Sequence, residues 1–532
     1  MELLNTLFQS APWGALRTGL HIVFLLLLVY LLKQIWDLRP VTGLKHLAKP
    51  RAGFGLVVAG IGLLLIGVLA YQATWQLSGT ARPDFVAFMQ SHDRRQFNPA
   101  HWIQRGRILD HRGRVLAQTR EVAGPSDTEA QRWYPYGPGF AHVVGYADPR
   151  FGTSGMESAA NVSLNGGTPE SLREWGQLGR QLITGGKRPK GRDLVLTLDA
   201  ELQTLAYRRL AGRPGAVVML VPADGAVRVL TSSPSFDPNR VDGLLFSGPD
   251  PDARLLNRAT AGLYPPGSTF KVVLAAQSLD RGQEPVLSCP GDGFTTSRRY
   301  PKIRDHEYYS ARRAGRAWGG FGRIGLARAL AKSSNVYFAQ LGVLQGHAAF
   351  QQTIERFLFN SRVVLTEGLS GRQLMRTGRI PRIATSDQYG LAQASIGQGQ
   401  VLVTPAHMAL ITAAIANDGV AMRPRLTPDE PVQVLGRMLG AHSAARLRQM
   451  MRQVVSGGTA RGIDVPEIAI AGKTGTAQNP KGEPHSWFIA FAPADRPRLA
   501  VAVLVEHAGY GSAVAAPIAR DLLLAARERG LL

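Results

Sequence analysis

The 532-residue chain carries 61 Lys plus Arg against 38 Asp plus Glu, a net charge of +23, with 45% hydrophobic and 19% charged residues. At about 150 residues per unit that is room for three units with a real core, and the chain is too apolar to be disordered. The single Cys, Cys289, excludes a disulfide framework and a multi-cysteine zinc site, while the charge by itself invites an anionic-membrane or nucleic-acid reading.

The first 80 residues differ from the rest. His21 to Leu32 is almost pure hydrocarbon and reaches spanning length with its flanks if Lys33 snorkels. Ala52 to Ala81 holds no charged residue, and its core, Gly55 to Trp75, is the stronger span candidate. Two membrane helices are expected, at about 16–36 and 53–75. A cleaved signal peptide fits poorly, because the N-terminus has no basic region. The segment between the spans carries Lys33, Arg39, Lys45, Lys49 and Arg51 against Asp37, whereas residues 1–17 carry only Glu2 and Arg17. The positive-inside rule places this loop in the cytoplasm. The N-terminus and everything after about residue 76 then lie outside, giving a two-pass protein of the cell (inner) membrane with an extracytoplasmic, periplasmic body.

Residues 81–190 read as short segments broken by Gly and Pro, expected as a small β-rich pedestal without catalytic groups. Arg105 to Ala117 brackets an Asp-x-x-Gly turn with apolar residues, a hairpin signal. The pattern changes near Gly191. Asp193 to Leu198 alternates like a strand, Leu202 to Leu210 has helical spacing, and Ala216 to Leu230 forms a hairpin around Asp224-Gly225. Helical stretches follow at Leu326 to Leu341, Pro405 to Ala416 and Ser443 to Val455. Strand candidates lie at Ile468 to Thr476, Ser486 to Phe491 and Leu499 to Val505, before a last helix from about Ala515 to Arg529. Residues 191–532 therefore form one α/β or α+β domain, with no repeat period.

Three short signals in this domain carry chemistry. In Pro265-Pro266-Gly267-Ser268-Thr269-Phe270-Lys271, a helix starting near Ser268 puts Ser268 and Lys271 one turn apart on one face. A serine hydroxyl is a poor nucleophile until a neighbouring base takes its proton. Lysine can be that base once its pKa is lowered, whereas arginine cannot. Only 10 of the 61 cations are Lys, so Lys271 and Lys473 stand out. In Lys332-Ser333-Ser334-Asn335, poor helix formers interrupt a helical stretch, which signals a break or a polar tip. In Ala471-Gly472-Lys473-Thr474-Gly475-Thr476-Ala477, a strand ends in small residues: Lys473 offers a cation, Thr474 a hydroxyl, and Gly475 room for a ligand backbone.

Other signals dissolve. Gly320-Phe321-Gly322-Arg323-Ile324-Gly325 is a literal G-x-G-x-x-G, but no apolar strand precedes it and no acidic residue follows up to Gln351, so no nucleotide cofactor is expected. Asp305-His306-Glu307 lacks the spacing of a metal site, and Cys289 is expected in a loop.

S-x-x-K, S-x-N and K-T-G in this order resemble the penicillin-binding proteins and serine β-lactamases. Ser395-Ile396-Gly397-Gln398-Gly399, Thr404-Pro405 and Trp487 to Pro493 also look like penicillin-binding transpeptidases, and Arg105–Ala117 looks like the family's pedestal. Too few residues separate the membrane from the transpeptidase for a glycosyltransferase, so the chain resembles class B. Two spans are unusual there. The resemblance implies an α+β fold, a central antiparallel sheet with flanking helices and an all-helical subdomain. It also implies no metal or cofactor, and a D,D-transpeptidase that crosslinks stem peptides ending in D-Ala-D-Ala, inhibited by β-lactams, beside a SEDS-type glycosyltransferase. Ser268 would be the nucleophile, Lys271 the base, Ser333 the proton relay, and Lys473 the cation keeping Lys271 neutral. Asn335 would hold the substrate amide. The N–H groups of Ser268 and Thr476 would form the oxyanion hole, and Lys473, Thr474 and Thr476, with Gly475, would hold the terminal carboxylate. A D,D-carboxypeptidase, a β-lactamase or an idle membrane scaffold or β-lactam sensor on the same fold are the rival readings. For an exported domain no nucleic-acid partner is expected, and the +23 charge is mostly Arg used in place of Lys.

Overall fold

The computed structural model describes residues 30, 60–69, 71, 104–123, 128–166, 190–368, 371–479 and 482–532. The chain divides into two compact units, Met1–Val86 and Ala87–Leu532. In the first, residues 60–69 are helical with Ile61, Leu63, Leu65, Ile66 and Leu69 exposed. Among the described residues no helix is long and apolar enough to cross a membrane. Most of the two expected spans, and the loop between them, lie outside the described residues.

The second unit begins with a small sheet. β1 (Ile108–Leu109), β2 (Val115–Ala123), β3 (Thr128–Trp133) and β4 (Leu194–Val195) lie in the order β3-β2-β1-β4, with β4 parallel to β1. The expected hairpin is there. Asp110 Oδ1 accepts from the N–H groups of Arg112 (2.9 Å) and Arg114 (2.8 Å), and Gly113 takes the positive φ of 82° that the turn needs. Beside it, Glu157 is fully buried between Arg105 (2.7 Å) and Arg132 (2.6 Å), with Tyr134 Oη donating at 3.2 Å. Burial alone would raise this carboxyl, but the two guanidinium groups outweigh it and hold it below its usual range.

The hairpin tip docks on the next element. His111 Nε2 lies 3.0 Å from Asp199 Oδ2. Asp199 is also the N-cap of α1 (Ala200–Leu210), accepting from the N–H groups of Glu201 and Leu202.

The larger sheet follows. β5 (Gly215–Leu220) and β6 (Val227–Ser233) form the hairpin around Asp224-Gly225. Then come α2 (Lys271–Asp280), β7 (Leu287–Pro290), α3 (His306–Arg313), β8 (Gly320–Ile324), α4 (Leu326–Lys332), α5 (Asn335–Arg356), α6 (Pro405–Ala416) and α7 (Ala441–Ser456). β9 (Ala471–Ala477), β10 (His485–Ala492), β11 (Leu499–Val505) and α8 (Ala515–Glu528) complete the chain. The five-stranded sheet has the order β9-β10-β11-β5-β6 and is antiparallel throughout. β5, β10 and β11 are buried at every position, so both faces of the sheet are covered. α1 and α8 pack on each other and on the sheet, as do α6 and α7. α6 is buried along its whole length and starts where the sequence sets it, with Thr404 capping and Pro405 in the first turn.

Several expectations shift. Only Leu194–Val195 of the Asp193–Leu198 segment is a strand, and Ile468 to Ile470 precedes β9 rather than belonging to it. The helical part of the domain is not all-helical. β7 and β8 pair there as a two-stranded ribbon, so Cys289 is in a strand rather than a loop, and the G-x-G-x-x-G run is strand β8 up to Ile324, with Gly325 at the N-cap of α4. Glycines opened that run to backbone pairing: a Cβ on Gly320 would meet the Cys289 carbonyl oxygen at 2.2 Å.

Candidate active site

The three motifs converge. Gly267–Phe270 is a 3-10 turn that runs straight into α2, which places Ser268 and Lys271 one turn apart. The turn is held from four sides. Tyr264 pairs with Val403 in both directions (2.9 and 2.8 Å), Gly267 N donates to Gly397 O at 3.0 Å, Trp487 Nε1 donates to Pro265 O at 3.0 Å, and Thr269 Oγ1 donates to Pro266 O at 2.8 Å. The segments that accompany the motifs in sequence therefore pack around them in space. Ser268 is half-buried, while Lys271 and Lys473 are fully buried.

Lys271 Nζ donates to Ser333 O (2.6 Å) and to Asn335 Oδ1 (2.7 Å), and more loosely to Ser333 Oγ (3.4 Å). Its ammonium also lies 5.7 Å from the centre of the Phe338 ring. Burial pulls Lys271 down to about 7, against the opposing carboxylates of Asp305 and Glu307. Burial likewise holds Lys473 well below its ordinary value, and the neighbouring Lys271 adds to this. It is burial, rather than the charge of Lys473, that brings Lys271 into range for a base at neutral pH.

The expected helix break is where Lys332-Ser333-Ser334-Asn335 put it. α4 ends at Lys332, Ser333 takes a left-handed conformation (φ 58°, ψ 35°), and Ser334 caps α5 by accepting from Tyr337 N. Asn335 is committed on both sides of its amide, accepting from Lys271 and donating to Arg304 O at 3.0 Å.

β9 is an edge strand of the sheet, so among the described residues one side of its backbone is free of ladder partners. Lys473 Nζ donates to Ser333 Oγ (2.8 Å) and Thr474 O (2.8 Å), and Thr474 Oγ1 lies 2.7 Å from Thr459 Oγ1. Gly475 differs from expectation. Where a Cβ would stand, the nearest atoms are Thr269 Cγ2 (2.8 Å), Trp487 Cβ (2.9 Å) and Pro266 O (3.0 Å). The approach that the missing side chain permits is that of the Ser268 turn.

Three residues near the motifs escaped the sequence reading. Thr459 had a faint signal in the run Ser456-Gly457-Gly458-Thr459. Arg304 takes part through its carbonyl, which no side-chain pattern records. Asp305 stands in the sequence only beside His306 and Glu307, without the spacing of any motif; its carboxylate accepts from Ser334 Oγ (3.0 Å) and Val336 N (3.1 Å). Among the described residues no group of three His, Cys, Asp or Glu is arranged to hold a metal. The buried Cys289 thiol is pushed up to about 11 by burial first of all, which keeps it protonated.

Comparison with known proteins points the same way. Residues 215–524 match the penicillin binding protein transpeptidase domain, and residues 105–193 match the penicillin binding protein A dimerisation domain. The chain is 32% identical over 465 residues to the peptidoglycan D,D-transpeptidase PbpA of Mycolicibacterium smegmatis, covering 79% of this chain and 89% of that protein. It is 31% identical over 461 residues to the peptidoglycan D,D-transpeptidase MrdA of Acinetobacter baumannii, covering 73% and 65%. Among solved structures, penicillin-binding protein A from M. tuberculosis as a ceftriaxone acyl-enzyme complex matches with a TM-score of 0.69 at 30% identity, over 80% of this chain and 99% of that one.

Proposed function

The chain belongs to the class B penicillin-binding transpeptidases and is a serine-type peptidoglycan D,D-transpeptidase; from that premise we propose which residues carry out its two acyl transfers. Ser268 Oγ attacks the carbonyl between the two terminal D-alanines of a stem peptide, and neutral Lys271 takes its proton. The tetrahedral oxyanion is met by the N–H groups of Ser268 and Thr476, the latter on the edge strand β9. As the C–N bond breaks, a proton returns through Ser333 to the departing D-alanine, leaving an ester on Ser268. An amine of a second stem peptide attacks that ester, the crosslink forms, and Ser268 regains its proton. A β-lactam follows the first half of this course: its ring amide opens on Ser268 and the ester remains.

Asn335 orients Lys271 and, by exchanging its bond to Arg304, donates to the substrate amide. Lys473 holds the Ser333 hydroxyl, so Thr474 and Thr476 supply the hydroxyls for the terminal carboxylate, with the Lys473 nitrogen behind them. The observation that carries this reading is the buried contact of Lys271 with Ser333 and Asn335, one turn from Ser268. Ser268→Ala abolishes covalent labelling by a fluorescent penicillin; labelling that survives overturns the assignment. A hydrolase on the same fold would instead release the opened β-lactam at a measurable rate.

Residues 1–80 are read as two membrane helices with a cytoplasmic loop, 81–190 as the pedestal and 191–532 as the transpeptidase. Support for the anchor comes from the two apolar stretches, the five cations between them, and the outward apolar side chains of residues 60–69. A reporter active only in the cytoplasm, fused after Leu532, is expected to be silent; activity would refute the topology. The membrane partner is read as a SEDS-type glycosyltransferase, to be sought by co-purification of the full chain from membranes.

A further inference from the structure

Between Cys289 and Leu326 the chain makes an excursion of which the roles above use only the Arg304 carbonyl, yet its neighbour Asp305 also bonds to the turn that holds Lys271. Asp305 is 2% exposed. Its carboxylate accepts from Ser334 Oγ with both oxygens (3.0 and 3.2 Å) and from Val336 N (3.1 Å). Ser334 Oγ accepts in turn from Tyr337 N at 3.1 Å. Arg304 O takes the Asn335 Nδ2 donor, which leaves Oδ1 facing Lys271. These bonds clamp residues 334–337. The residue just before them, Ser333, is held at φ 58°, a region that non-glycine residues rarely adopt and that persists only where the surroundings impose it. That conformation is what turns the Ser333 carbonyl toward Lys271 and its hydroxyl toward Lys473.

We propose that Asp305 is a positioning residue of the acyl-transfer reaction: from behind the Ser333–Asn335 turn its carboxylate fixes the groups that hold Lys271, and it supplies a buried negative charge to that lysine. The proposal rests on the reading of Lys271 as the base. Around Lys271 stand Lys473 from β9 and the two carboxylates, Asp305 just before α3 and Glu307 in its first turn. The charge of Asp305 also helps keep the buried Cys289 thiol of β7 protonated, after burial itself. Both carboxylates favour protonated Lys271, so neutralising Asp305 moves its titration to lower pH.

The test follows acylation of the full-length protein by a fluorescent penicillin between about pH 5 and 9. Asp305→Asn lowers the plateau rate by about tenfold or more and shifts the acid limb to lower pH. Ser334→Ala, which keeps the charge but removes the Ser334 bonds to Asp305 and Tyr337, lowers the plateau and leaves the limb in place. A limb for Asp305→Asn that coincides with wild type overturns the proposal, since loss of packing alone would not move it. A plateau within about twofold of wild type for Ser334→Ala overturns it too, and does so even if Asp305→Asn fails to fold. Labelling of Ser268→Ala would sink the underlying assignment separately, whatever these two variants do.

Discussion

Lys473 Nζ donates to Ser333 Oγ across 2.8 Å, joining an edge strand to a turn 140 residues earlier in the chain. With Lys271 on the same serine, two fully buried lysines share one hydroxyl. A proton relay needs such a continuous path, and a guanidinium could neither fit this buried site nor become neutral in it. Lys473→Arg is expected to slow acylation by a fluorescent penicillin by about 10²-fold or more. A rate near wild type would show that the cation alone suffices.

Because Lys271 is held at about 7, the rate of acylation of wild-type protein rises with pH through about 7 and then levels. Below that value the base is protonated and the rate falls about tenfold per pH unit. A rate independent of pH between about 5 and 8 would contradict Lys271 as base.

The same lysine carries a stability cost. Its folded pKa of about 7 lies below the ordinary 10.5, so between these values the unfolded chain binds more protons and stability rises with pH. Below about 7 the buried charge destabilises the fold in full. Lys271→Met, close in shape but apolar, is expected to melt higher than wild type at pH 6, by about 2–4 °C per kcal/mol recovered, while losing acylation. A lower melting temperature would show that its hydrogen bonds outweigh its burial.

Gly475→Ala places a methyl group 2.8 Å from Thr269 Cγ2 and 2.9 Å from Trp487 Cβ. The Ser268 turn must move from β9, and a displacement of about 1 Å at a reacting group costs about 10²-fold in rate. Acylation kinetics with and without substrate-like carboxylates on the β-lactam check this. A loss confined to carboxylate-bearing compounds would restore the ligand-approach reading of Gly475.

Glu157→Gln leaves Arg105 and Arg132 buried without their counter-charge, at a cost of about 3–5 kcal/mol. Burial raises this carboxyl and the two guanidiniums lower it further than that, so its folded pKa lies below 4.5. Its contribution is therefore present above about pH 4.5 and lost as pH falls through the lower folded value. Thermal melts of both proteins should converge in acid. Acylation of the folded fraction should not change, since Glu157 lies outside the Ser268 site; a matching loss of rate would tie the region around the small N-terminal sheet to catalysis.

Some features of the site are encoded by local spacing along the chain. Ser268 and Lys271 share a face because they are one helical turn apart. Ser333 breaks a helix because Ser-Ser-Asn cannot continue it. Thr404-Pro405 starts α6, and Asp224-Gly225 closes its hairpin. Tertiary structure decided what depends on partners distant in the chain. Asp305 binds Ser334 across 29 residues, and Arg304 acts through a carbonyl that every residue possesses. Gly475 looks like room for a ligand until the Ser268 turn is packed against it. The low proton affinity of Lys271 belongs to no motif either. It comes from full burial, which only the assembled sheet, α2 and the Ser333–Asn335 turn can impose.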